Sequence, residues 1–144
     1  SSSLVGSEMC IRDRFNRCVY GVFDPVGYGA DGKYGNEWDM TIWISDRGIE
    51  SGRLKDILIH EAAHAYSYLV LRGCVVPDGS SFRELAHKRY GDEEHLADIF
   101  VLYYGGKWTN YDGRENIPIR DRSWMSNMID YCNLYEEALA TLSS

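Results

Sequence analysis

The chain has 144 residues, 44% of them hydrophobic and 26% charged, with a formal net charge of −7. This is the composition of one globular domain, which argues against disorder and, with no clustered Lys and Arg, against a nucleic-acid surface. No run approaches the roughly 18 consecutive apolar residues of a membrane span.

In chain order, the stretch Leu4-Val5-Gly6-Ser7-Glu8-Met9-Cys10-Ile11-Arg12-Asp13-Arg14 looks like a translated sequencing adapter. Residues 1–14 are therefore set aside, leaving 15–144 as a single domain whose natural start and compartment, cytoplasmic or secreted, the sequence does not give. A first strand is predicted over Cys18 to Phe23, followed by a Gly-rich loop from Pro25 to Gly35. A second strand is predicted over Trp38 to Ser45, where Met40, Ile42 and Ile44 alternate with Thr41, Trp43 and Ser45. With Cys10 set aside, Cys18, Cys74 and Cys132 are an odd number with no CxxC spacing. Buried free thiols are expected in preference to one bridge among the three.

A long helix is predicted from a cap at Ser51 to a stop before Gly73, and its apolar residues, Leu54 through Leu71, cover most of its circumference. It should be largely buried. A turn at Pro77-Asp78-Gly79 precedes a short helix over Phe82 to Lys88. A further helix, Glu93 to Tyr104, is capped by Asp92 and ended by Gly105-Gly106. The polar connection from Gly105 to Arg122 has the length of a binding loop. Ser123 caps a last predicted helix, reaching about Leu142, with a packing stripe from Met125, Met128 and Cys132 to Leu139 and Leu142.

The chemistry concentrates in the first long helix. His60 and His64 are four residues apart on a 3.6-residue repeat, one turn above the other and able to converge on a point, while Glu61 flanks it. His60-Glu61-Ala62-Ala63-His64 is an HExxH pattern: two imidazoles hold zinc, and the glutamate takes a proton from a water whose pKa the metal has lowered to about 7. Catalytic zinc takes a third protein ligand and leaves a fourth position open. The metzincin pattern would put Gly and His where Ser67 and Val70 stand, so that branch is closed.

Thirty positions after His64 stands Glu94-His95-Leu96-Ala97-Asp98. With HExxH, this pattern resembles the minimal thermolysin-like gluzincins over about Trp38 to Gly105. The resemblance implies Glu94 as third metal ligand, Asp98 as the carboxylate that orients His60, and an extended substrate held along the Trp38 to Ser45 strand. Larger relatives use a downstream histidine on the oxyanion; no histidine follows His95 here. Tyr103, Tyr111, Arg114, Arg120, Tyr131 and Tyr135 remain open as substitutes. His87 and His95 are expected not to be ligands.

The expected fold is α+β and zincin-like: a small antiparallel sheet on a buried HExxH helix, a second ligand-bearing helix and a C-terminal helix. The expected activity is that of a zinc metallopeptidase with Glu61 as general base, His60, His64 and Glu94 on Zn2+, and a peptide or protein substrate. Neither nucleic acid nor a membrane span is expected, and the substrate-binding residues and oligomeric state are unassigned. Two alternatives stay open: a regulatory peptidase resembling the phage-repressor-cleaving family, which cuts one partner protein, and a catalytically silent zinc-stabilised binding module.

Overall fold

The computed structural model describes residues 11–12, 18–25 and 40–143, and among them the chain is α+β, with four short strands and five α-helices. It divides into two compact units, residues 1–65 and 66–144, with the division inside the long second helix.

In the first unit, β1 (Ile11–Arg12) pairs antiparallel with β2 (Cys18–Val19), and β3 (Gly21–Asp24) pairs antiparallel with β4 (Thr41–Ile44). Strand β1 lies inside the adapter-like stretch. The predicted first strand is thus broken at Tyr20, where the chain bends and the Tyr20 carbonyl accepts from both the backbone N–H and the hydroxyl of Ser45. The alternating Thr41 to Ile44 run forms a strand, but Met40 before it sits at φ 55°, a left-handed turn that starts the ladder one residue later. Most of the Gly-rich loop, together with Trp38, falls outside the described residues.

Ser45 ends the sheet and begins a helix that the sequence reading missed. Its hydroxyl accepts from the Gly48 N–H at 3.0 Å, capping α1 (Asp46–Glu50). Ser51 does not start the long helix as expected: its hydroxyl donates to the Gly48 carbonyl and accepts from the Arg53 N–H, closing α1. The long helix α2 then runs over Leu54–Leu69. It is not buried around its circumference. Ile57, His60, Glu61, Ala63 and Ser67 are buried, whereas Leu58 and Leu69 are 42% and 54% exposed. Counting apolar residues overstated the burial, because only the face at helical spacing from Ile57 is covered.

In the second unit, the end of α2 leads through a 3-10 turn (Leu71–Gly73) to the predicted Pro-Asp-Gly turn. Gly79 there takes φ 92° and donates to the Val76 carbonyl. Ser81 caps α3 (Phe82–Tyr90) by accepting from Glu84 N–H. Asp92 caps α4 (Glu93–Tyr103) by accepting from His95 N–H at 2.9 Å, as expected. Leu96, Ala97, Ile99, Val101, Met125 and Met128 form the centre of this unit's core.

The last helix, α5, spans Ile119–Ser143 and starts ahead of Ser123. Pro118 sets the entry: its ring fixes φ, and its carbonyl accepts from the N–H groups of Asp121 and Arg122. The predicted stripe is buried at Met125, Met128 and Cys132 but runs out into solvent at Leu139 and Leu142.

The expectation of free thiols is corrected. Cys74 and Cys132 form a disulfide, with Cα atoms 5.6 Å apart, that ties the end of the 3-10 turn to α5. An odd cysteine count hid this pair because its partners are 58 residues apart and meet only on folding. Cys132→Ala should lower stability by about 2–4 kcal/mol, read from chemical denaturation of the oxidised parent and the variant.

Candidate metal centre

The HExxH pattern folds as its spacing requires. On α2 the Nε2 atoms of His60 and His64 face each other at 3.1 Å, with ring planes 83° apart. Two nitrogens each about 2.1 Å from one tetrahedral ion stand roughly 3.4 Å apart, so a cation fits between these atoms with a small ring adjustment. Without an ion, one ring donates to the other. His60 is buried and His64 half-buried, which leaves the pair open on one side.

Glu61 is buried at 6% exposure, with Oε1 4.0 Å from His60 Nε2. A strand packs directly against the Glu61 stem. A Cβ added at Gly21 of β3 would lie 3.1 Å from Glu61 Cγ, 3.0 Å from Ile57 Cγ2 and 2.9 Å from Ile44 Cδ1. The sequence reading passed over Gly21, although a glycine inside a strand pattern signals close approach of another group.

Glu94 lies in the first turn of α4 and is half-buried. Its carboxylate oxygen and the ring nitrogens of His60 and His64 all lie within 4.8 Å of one another, a group that could hold a metal ion.

Asp98 is fully buried on α4. Its Oδ2 accepts from three successive backbone N–H groups, those of Asn110, Tyr111 and Asp112, at 3.0, 2.6 and 2.9 Å. This carboxylate therefore fixes the polar connection after α4, a task the sequence reading did not assign to it. His95 turns back to Asp92 Oδ1 at 2.8 Å, a bond that raises its pKa. His87 bonds to Glu93.

Among the open oxyanion candidates, the Tyr103 hydroxyl bonds to Ser126 Oγ at 2.6 Å and Tyr131 donates to the Val75 carbonyl. Arg114 pairs with Asp112. Late in α2, burial pushes the Tyr66 phenol up to about 12, and its hydroxyl donates to Asn133 Oδ1.

Compared with known proteins, the chain matches no family model, no curated protein and no solved structure.

Two outcomes follow from this geometry. Gly21→Ala should cost about 1–3 kcal/mol by overpacking, in thermal or chemical melts, and should displace Glu61. Asp98→Ala should strip the common acceptor from three amides, so hydrogen exchange at Asn110, Tyr111 and Asp112 should speed up well beyond that of the α4 core.

Proposed function

We propose that this chain is a zinc metallopeptidase in which Glu61 is the general base. The observation that supports it most is the meeting of the two Nε2 atoms at 3.1 Å beside a buried carboxylate whose oxygen is 4.0 Å away. A structural zinc site would need two imidazoles and further ligands, but no carboxylate set beside them in the adjacent helical position.

His60 Nε2, His64 Nε2 and a Glu94 oxygen form the donor set, and two nitrogens with one carboxylate suit zinc. When bound, the metal supplies a water of lowered pKa and polarises a carbonyl. Glu61 Oε1 takes the proton of the attacking water and passes it to the departing amine. Its burial keeps that carboxylate's field unscreened. In the same reading Asp98 orients His60, and an extended peptide pairs with the β4 backbone.

Glu61→Gln decides the point. Turnover of a peptide library should fall to background while zinc content stays near one equivalent, because the ligands are untouched. Persistent hydrolysis by this variant would remove Glu61 as base. Should the parent bind zinc and melt lower after chelation yet cut no peptide, the silent zinc-stabilised module replaces this reading. Should it cut one protein and no library peptide, the regulatory peptidase does.

A further inference from the structure

A second polar cluster lies next to the ligand group. Ser67, 1% exposed, stands three residues after His64 on the same face of α2. Glu93 immediately precedes Glu94 in the first turn of α4. The Ser67 hydroxyl donates to Glu93 Oε1 at 2.8 Å. From α3, Arg83 Nε reaches both Ser67 Oγ at 3.1 Å and Glu93 Oε1 at 3.3 Å. One turn further along α3, His87 Nε2 bonds to the same oxygen at 2.5 Å. Three helices therefore meet on a single carboxylate oxygen.

We infer that this clasp is a positioning device for the third ligand: Ser67, Arg83 and Glu93 lock the first turn of α4 to α2 so that Glu94, and not Glu93, is offered to the metal. The inference rests on the metal reading above and deepens it. The first turn of a helix is where fraying begins, since its N–H groups have no partners within the helix. A ligand placed there needs outside support to hold its geometry, beyond what Asp92 gives the backbone and the His95 ring. Adjacent helical residues point about 100° apart, so only one of two neighbouring glutamates can face the histidine pair. Glu93, otherwise a rival carboxylate for any cation, is committed to Arg83, His87 and Ser67 by bonds that involve charged groups and are stronger than neutral ones. The hydroxyl at Ser67 also converts a position that would otherwise be plain core into a link between the helix of the histidines and the helix of the glutamate.

Zinc dissociation constants of the full chain, measured by competition with a chromogenic chelator, test this. Ser67→Ala and Glu93→Ala should each weaken zinc binding about 10- to 100-fold, the range for groups that orient metal ligands, while the metal-free Ser67→Ala chain still melts cooperatively. Glu93→Gln keeps an acceptor oxygen for the same donors and should recover most of the affinity lost in Glu93→Ala. If Glu93→Ala fails to fold, Ser67→Ala decides. Parent-like zinc binding by Ser67→Ala overturns the inference and leaves the metal reading standing, as does a Glu93→Gln chain as weak as Glu93→Ala. A parent chain that takes up no zinc overturns the metal reading itself, and the clasp's role with it.

Discussion

The structure depends on two imidazoles four residues apart on one helix, turned so that their Nε2 atoms meet at 3.1 Å. Two ring nitrogens at that separation in half-buried surroundings need either a shared proton or a shared cation. A carboxylate 4.0 Å from one of them adds negative charge to the same small volume. A buried carboxylate is costly unless it is compensated, and a divalent ion held beside it would compensate it. The Gly21 contact serves the same end, because a bare backbone lets the sheet cover the Glu61 stem without pushing its head away.

Carboxylates organise the second unit in a comparable way. Asp98 gathers three loop amides, Glu93 gathers a hydroxyl, a guanidinium and an imidazole, and Asp121 gathers Arg89 and the Tyr90 hydroxyl. Asp98 holds the loop after its own helix, Asp121 the end of α3, and Glu93 donors from α2 and α3. Such buried polar hubs are costly when half satisfied and specify one arrangement when full. Packing of α3 against α4, with the Cys74–Cys132 bridge to α5, adds cohesion. The hubs fix the register of helix ends and of the connection that follows α4.

Local signals read well where the chemistry is local. The Asp92 cap, the Pro77-Asp78-Gly79 turn, the short helix after it and the alternation of Thr41 to Ile44 all gave elements at the expected places. Local signals misled where two readings compete for one residue. Ser45 and Ser51 each have a hydroxyl that could start a helix or end one, and which it does depends on Gly48, whose N–H and carbonyl those hydroxyls use. Leu58, Leu69, Leu139 and Leu142 look like core in a one-dimensional pattern, yet are exposed because, among the described residues, no element covers their side of the helix.

The sequence by itself determined the HExxH face, since the spacing of His60, Glu61 and His64 on a helix leaves no freedom in how they present. It also marked Glu94 and Asp98 as one face of a second helix. Only tertiary structure decided that Glu94 and the two histidines make a group that could hold a metal ion, that Asp98 holds a loop, that Cys74 meets Cys132, and that Glu93 is tied to Ser67 and Arg83. Helical periodicity is a property of neighbouring residues and can be read from their order. Contacts between residues tens of positions apart depend on where whole elements pack, and no short stretch of chain carries that information.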